Sequence, residues 1–598
     1  MENFAFLILF ACGFLGSGRL ILNFLANGES LDPKEKFLFS LGLGVGFFEI
    51  FGLGLGFLGW LGKLGRWGWL GILGGLGVLG IWELKKITWA DLVDWEGWKK
   101  WQKVLLVLIF LRLLLNFFLA QAPVTEGDAL WVHLTLPKIF LRQGRITDVY
   151  SLFSYLSFNT EMLYLWAMSL KDEILAQNLS FLVGGVFMSL AVYFFCQKFF
   201  SKRLALLSAF IFIFTPLVSW ESVSPTVDLF WSFFVFLAFW AFLEKCYRLG
   251  FVFLGLAFGT KSVLTLIPAA GLVFLIGFEN LFPGALITFL LWLPYLLRSF
   301  LLTGNPIYPL FPQFFGSGGL ETKVLVSLQY QFYEKGLPLW DFLTYWWRVS
   351  IFPRKFGPDI GPLYLVFGPL GLIFWRRLFL KTKKLAFQVG IFCLLFYTFW
   401  YFFSVHSVRY LLPIFPFLAI LLAVTINYLI KTGGLVKFLT LTILVLFVPI
   451  SFLTYFWSFE KYAPKLKYVF GKMSREEYLF EALPYTRDLF WLNKNLPERA
   501  KVLLFFSTEM RPFYLERGFV LGSILQREID FSRPEKIKNE EEFLRVLKNH
   551  RITHIFAAPN LTLIQDRHLE QFRQSLGQMA GVKQIYQGVR GNAYAVFY

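Results

Sequence analysis

Apolar residues along this chain come in long uninterrupted blocks, not in the alternation of a half-buried strand or the narrow stripe of a surface helix. Blocks of about 18 to 25 residues, nearly free of charge, recur from the start of the chain to about residue 457. Each is long enough to cross roughly 30 Å of hydrocarbon as a helix. Their starts give about fourteen spans, near Phe4, Phe37, Arg66, Lys103, Ala176, Arg203, Thr226, Gly250, Ser262, Ala285, Pro362, Leu385, Arg409 and Val436. The two near Gly250 and Ser262 are separated only by Gly259-Thr260-Lys261. Glycine is dense from Gly42 to Gly56, which predicts close helix packing.

After residue 457 the pattern changes. Lys501–Phe506 (KVLLFF), Arg551–Ala557 (RITHIFA) and Tyr594–Tyr598 (YAVFY) read as strands. Asn539–Asn549 (NEEEFLRVLKN) reads as a helix, with Phe543, Leu544 and Leu547 on one face behind acidic residues. A small α/β domain follows from this pattern. It has no glycine-rich phosphate loop, so no nucleotide site is expected there.

Composition agrees with a membrane: 57% of residues are hydrophobic, 20% aromatic and 16% charged, against about a quarter charged in soluble proteins. The net charge of +18 does not point to nucleic acid, because the basic residues sit in short connections between apolar blocks. Lys85-Lys86 with Lys99-Lys100, Lys198 with Lys202-Arg203, Lys245 with Arg248, and Arg376-Arg377 with Lys381 to Lys384 occupy alternate connections, which are expected on the cytoplasmic side. The long connections 122–175 and 302–361 and the tail 458–598 then face outward. The first apolar block lacks a basic leader and reads as an anchor, not a cleaved signal. The four cysteines (Cys12, Cys196, Cys246 and Cys393) lie in or beside apolar blocks, so neither a disulfide framework nor a CxxC metal site is expected.

Candidate chemistry gathers at the outward ends of the blocks. The first long connection opens with Glu126-Gly127-Asp128 and continues to His133, in an amphipathic stretch suited to the membrane surface. On pattern alone, Asp128 is favoured as a helix N-cap over a base, and one residue can do both. A second cluster runs Trp220-Glu221 to Pro225 and Asp228, and Lys261 stands at the outward end of its block. Arg298 precedes Thr303-Gly304-Asn305-Pro306, and the same connection carries Tyr345, Trp346, Trp347, Arg348, Arg354 and Lys355. His406, Arg409 and Tyr410 open a later block. Taken singly, each cation is more often a headgroup anchor than a ligand. No clear ionisable residue is placed at mid-span and no internal repeat is visible, which disfavours a secondary transporter. A surface enzyme acting on a lipid-borne substrate fits better.

Several segments resemble the GT-C superfamily of membrane glycosyltransferases, which use polyprenyl-phosphate-linked sugars. The likeness is nearest to bacterial members related to protein O-mannosyltransferases and to the aminoarabinose transferase that modifies lipid A. It rests on Gly127–Arg145 (GDALWVHLTLPKIFLRQGR), Ser154–Tyr164 (SYLSFNTEMLY), Pro225–Leu229 (PTVDL), Gly255–Lys261 (GLAFGTK), Thr303–Pro309 (TGNPIYP) and Arg409–Pro413 (RYLLP), in the family's order. One departure is that many members have adjacent acids in the first loop, where Gly127 here separates Glu126 from Asp128.

The resemblance implies a polytopic α-helical membrane protein of about 12 to 14 spans, with a transferase domain over 1–457 and an extracytoplasmic α/β domain over 458–598. It implies an inverting glycosyltransferase of the inner membrane, acting in cell-envelope glycan biosynthesis. The donor would be a polyprenyl-phosphate sugar and the acceptor a lipid, glycan or protein. Asp128 is assigned as base, with Glu126 as the alternative. Arg409 and Lys261, then Arg298 and Arg348, are assigned to the donor phosphate. His133, Glu161, Asp228 and Tyr410 are assigned to sugar or acceptor hydroxyls. Nothing calls for a divalent metal or other cofactor, and His133 alone reads as a hydrogen-bonding residue. The rival readings are a lipid or glycan transporter (flippase) and a non-catalytic scaffold.

Overall fold

The computed structural model describes residues 2–26, 30–88, 98–323, 325–326, 339–351, 359–378, 382–457, 462–505, 510–523, 526–531, 537–558 and 567–598. The loop cations Arg354 and Lys355 lie outside these residues. Among the described residues, ten helical runs are long and apolar enough to cross a bilayer, or eleven when a bent pair is counted as one. Asp228–Leu243 and Leu363–Ile373 are shorter apolar helices. Burial sorts the runs into centre and rim: the apolar window of Glu173–Phe199 is 89% buried and that of Gly434–Phe452 only 17%. Rim helices leave large side chains such as Trp67, Phe278, Phe282 and Val445 open. A surface this apolar is stable against lipid and not against water.

The spans expected near Gly250 and Ser262 fall in one helical run, Tyr247–Leu275, but the chain reverses inside it. Ser262 has φ 37°, and the Thr265 hydroxyl donates to the Ala257 carbonyl at 3.0 Å. In a straight helix those residues would stand about 12 Å apart. The next helix, Phe278–Thr303, runs parallel to Tyr247–Lys261: Gly284 and Thr288 meet Phe251, and Trp292 meets Phe258 with ring centroids 4.8 Å apart. Two consecutive parallel helices need a return pass between them, and residues 262–277 supply it.

Glycine acts as expected between the first helices. A Cβ on Gly44 would overlap the Phe14 carbonyl, one on Gly18 the Ser40 carbonyl, and one on Gly80 the Cys12 carbonyl. Backbones of Glu2–Leu25, Pro33–Phe57 and Gly65–Lys85 therefore touch directly. Gly44→Val should cost about 1–3 kcal/mol by overpacking, read as a lowered melting midpoint of the purified protein in detergent. An unchanged midpoint would mean that these helices separate freely.

Two ionisable residues lie deep inside spans, correcting the expectation that none does. Glu49 and Arg112 are both fully buried. Arg112 Nε donates to Ser219 Oγ at 2.6 Å, and Asn116 Nδ2 to Ser222 Oγ at 3.0 Å. Both bonds hold the short helix Pro216–Ser222, which follows Ala205–Phe214 after a 74° bend. Pro216 has no N–H for the preceding helix, and Thr215 is extended at ψ 119°, so the run breaks there. Arg112 thus braces the bend.

The tail folds into a five-stranded sheet of order β2-β1-β3-β5-β4. The strands are β1 Lys501–Phe505, β2 Gly518–Leu521, β3 His554–Ala557, β4 Val582–Gln587 and β5 Asn592–Val596. β1 pairs in parallel with β2 and β3, and β5 is antiparallel to β3 and β4. The sequence pattern finds β1, β3 and β5, the strands with buried runs. It misses β4, whose middle is exposed, and the short edge strand β2. Asn539 caps the helix Glu540–Asn549, accepting from the Glu542 N–H at 2.9 Å.

This domain sits on one end of the bundle and grips both long connections. Tyr514 Oη donates to the Val124 carbonyl at 2.7 Å, and Lys138 reaches Glu516 at 2.8 Å. Arg475 pairs with Glu173. On the second connection, Arg527 donates to the carbonyls of Gly318 (2.5 Å) and Leu302 (3.0 Å).

Candidate active site

The chain leaves its fourth span at Leu119 and begins a new helical turn at Gly127. Glu126 is the cap of that turn. Its carboxylate accepts from the Ala129 N–H at 2.6 Å, and its carbonyl accepts from the Leu130 N–H at 3.1 Å. The cap expected at Asp128 is corrected accordingly. The glycine between the two acids carries Asp128 into the first turn, at φ −71°, ψ −34°, with no capping bond. The next turn, Ala129–His133, is a π-helix closed by the Leu134 N–H on the Ala129 carbonyl at 2.8 Å. Such wide turns re-aim side chains; here His133 Nδ1 lies 2.7 Å from Glu161 Oε1, on the helix Asn159–Leu170.

Free of a capping role, Asp128 pairs with Arg409 from the turn Val408–Ile414. The Asp128 side chain keeps 44% exposure and that of Arg409 18%, so the pair faces open space. A second pair stands beside it: Lys261, at the reversal in the Tyr247–Leu275 run, pairs with buried Asp228. Tyr410 joins the two pairs, with Lys261 Nζ 3.8 Å and Arg409 Cζ 5.5 Å from its ring centroid. Trp231 closes the other side of Lys261 at 5.3 Å. The structure thus gathers Glu126, Asp128, His133, Glu161, Asp228, Lys261, Arg409 and Tyr410 at the end of the bundle that carries the C-terminal domain.

Arg298 and Arg348 are held by other partners. Arg298 is buried and donates to the carbonyls of Ser154 (2.5 Å) and Thr147 (2.9 Å), fastening the first connection. Arg348 pairs with Asp341 on its own helix, at 2.6 Å.

Two residues to which the sequence pattern assigns no role join the cluster. Glu221, on the bent helix, is buried, accepts from Thr226, and lies within electrostatic reach of Arg409 and Asp228. One of its carboxylate oxygens has no partner among the described residues, as has one of Glu161's. The acid is visible in the Trp220–Asp228 junction, but nothing local separates it from a solvent-facing one. Arg511 comes from the C-terminal domain, 384 residues from its partner: its Nε donates to the Gly127 carbonyl at 3.0 Å, and its guanidinium stacks 5.2 Å from Trp131. No sequence pattern signals such a contact.

Electrostatics divides the labour between the two loop acids. Burial pushes the Asp128 carboxyl up, but the charge and hydrogen bond of Arg409, helped by His133 and Arg511, outweigh it and hold the group below its usual range. Burial, then the neighbouring Asp128 charge, push Glu126 the other way. Burial also opposes a charged His133, yet the bond to Glu161 prevails and raises it. Asp128 is the more readily ionised acid of the two. Among the described residues, no three His, Cys, Asp or Glu side chains are grouped as ligands for a metal ion.

No family model and no curated protein matches the chain. Solved structures do. ArnT from Cupriavidus metallidurans bound to undecaprenyl phosphate superposes with TM-score 0.53 at 14% identity, over 82% of this chain and 97% of that one. The same protein in the apo state gives TM-score 0.50 at 13% identity, over the same shares of both chains. At such identity the likeness speaks of architecture alone: the chain shares the fold of these ArnT structures.

Proposed function

We propose that this protein is a glycosyltransferase of the inner membrane. It moves a sugar from a polyprenyl-phosphate donor to a lipid, glycan or protein acceptor on the extracytoplasmic face. Residues 1–457 carry the reaction, and residues 458–598 form the extracytoplasmic domain above it. The observation that carries this reading is the Asp128–Arg409 pair, partly open and flanked by Lys261–Asp228. The fold supports it, being that of an ArnT structure that holds undecaprenyl phosphate. The alternation of basic connections supports the orientation.

The chemistry follows from the two pairs. A sugar already esterified to a lipid phosphate needs no acid to protonate its leaving group. It needs a base for the acceptor and positive charge for the phosphate. Arg409 presents a planar fork suited to phosphate oxygens, and in doing so gives up part of its bond to Asp128. The freed carboxylate takes the acceptor's proton as the acceptor oxygen attacks the anomeric carbon. The carbon–oxygen bond to phosphate breaks, its electron pair leaves on polyprenyl phosphate, and the anomeric centre inverts in one displacement. Lys261 adds charge at the same end, while Glu161 and Glu221 offer free carboxylate lone pairs to hydroxyls.

Purified protein given donor and acceptor should release free polyprenyl phosphate in step with glycosylated acceptor, measured by chromatography of the lipid phase. Movement of the donor across a vesicle membrane without any chemical change would instead identify a transporter.

A further inference from the structure

A cleft of about 200 Å³ opens among the first three helices, at the end of the bundle away from the transfer site. Each helix, with the turn after the third, brings it one cation and one apolar side chain: Arg19 with Leu15, Lys36 with Phe37, and Lys86 with Ile87. Its depth follows from two ion pairs. Glu2 pairs at 3.0 Å with Lys171, two residues before the Glu173 that Arg475 holds, so the first helix starts at the domain end. From Glu2 to Arg19 that helix rises roughly 25 Å, close to the thickness of the hydrocarbon. The walls are fixed, because the helices touch backbone to backbone at this level: a Cβ on Gly18 would overlap the Ser40 carbonyl, and one on Gly16 the Leu76 carbonyl.

The charges in this cleft do not cancel. One carboxylate, Glu83, stands against the three cations, meeting Arg19 Nε at 3.5 Å and Lys86 Nζ at 2.7 Å. Among the described residues the Arg19 guanidinium makes no hydrogen bond, and the Lys36 ammonium has neither an ion pair nor a hydrogen bond. Asp32, Glu35 and Glu244, at the same end, all face Lys198. An under-compensated cation within a span is costly, and Arg19 is one. Lys86 also lies 3.0 Å over the ring of exposed Trp82, and tryptophans of that kind sit at the level of lipid head groups. The guanidinium and ammonium donors fit phosphate oxygens, and the apolar side chains beside them fit hydrocarbon. The volume is below the range of about 300–1,000 Å³ usual for whole ligands, so the cleft takes a head group and not an entire lipid.

We propose that this cleft binds the phosphate of an anionic phospholipid and is a structural lipid site separate from the transfer site. The acyl chains leave along the first helix, where Leu20 and Phe24, beside Arg19, are exposed. With the C-terminal domain outside, as proposed above, the lipid belongs to the cytoplasmic leaflet, whose negative head groups favour such a basic cleft. The bound phosphate offsets the repulsion among Arg19, Lys36 and Lys86 and ties the first three helices together at their inner ends. A soluble phosphate offers the same oxygens without the chains, and the cleft's apolar residues give it nothing to hold.

The test uses the full-length protein in detergent, with phosphatidylglycerol, phosphatidylcholine or inorganic phosphate added. Bound lipid is counted by native mass spectrometry, and the melting midpoint is followed in parallel. Phosphatidylglycerol should be retained and should raise the midpoint, as any ligand of the folded state does; phosphatidylcholine should do neither. Lys36→Gln, which breaks no side-chain contact among the described residues, should weaken retention of phosphatidylglycerol about fivefold. Arg19→Gln should weaken it further, and if that variant does not fold, Lys36→Gln decides alone. Lys384→Gln, which removes an exposed cation from another basic connection, should leave retention unchanged. Unchanged retention in Lys36→Gln places the lipid elsewhere and overturns the proposal. Equal retention of the two lipids, or equal losses in Lys36→Gln and Lys384→Gln, does the same. So does a midpoint raised as much by inorganic phosphate as by phosphatidylglycerol, which would mark a site for a soluble anion.

Discussion

Asp128→Asn lowers transfer by about 10²–10⁴-fold, the usual contribution of a positioned base. The asparagine keeps the shape of the side chain and offers Arg409 a carbonyl oxygen, so donor affinity and the melting midpoint should change little. Full activity in this variant would remove the base from Asp128 and leave Glu126 to be tested. The pH profile separates the same two acids without mutation. Asp128 is held below its ordinary carboxylate range, so its ionised form and its ion pair persist above about pH 4 and fade as the pH falls through the lowered value. Glu126 is raised, so a base at that position would lose activity while the pH is still above about 4.3. An acid limb of kcat/KM below about pH 4 therefore marks Asp128. One above that value marks Glu126.

Arg409→Ala should reduce kcat/KM for the donor by about 10²–10³-fold, the loss seen when one preorganised group facing developing charge is removed. The acceptor's KM should move far less. Arg409→Lys should recover part of the loss, since charge returns without the planar fork. Equal effects on donor and acceptor would count against a phosphate role. They would leave Arg409 as a partner that only orients Asp128. The variant also removes a shared cation from Asp128, Asp228 and Glu221 together, so hydrolysis of the donor, with water as the acceptor of the sugar, is the cleaner measurement. Lys261 is not equivalent, because it is already committed to Asp228 at a buried position.

The membrane architecture was legible because lipid imposes a one-dimensional rule. Every spanning segment must satisfy its own backbone and present apolar side chains for about twenty residues. That constraint is local, so the blocks from Phe4 to Val436 could be read directly, including the return after Ser262. Glycine density between Gly42 and Gly56 likewise announced backbone contact, realised at Gly44. Family-ordered segments then brought forward Asp128, His133, Glu161, Asp228, Lys261, Arg409 and Tyr410, which the fold draws to one end. Arg298 and Arg348 carried the same kind of signal, a cation in the second long connection or at its start, and the structure binds them elsewhere.

The sequence alone determined that this is a multi-pass membrane protein with an α/β tail, because both features depend on side-chain type and spacing along one segment. Only the tertiary structure decided that Glu126 caps the turn and Asp128 meets Arg409. It alone showed that Glu221 turns inward after the bend at Pro216, and that Arg511 reaches Gly127 from the far end of the chain. The physical reason is that charge pairing and desolvation depend on distance through space, and a contact 384 residues apart in sequence leaves no periodic trace in either partner's neighbourhood.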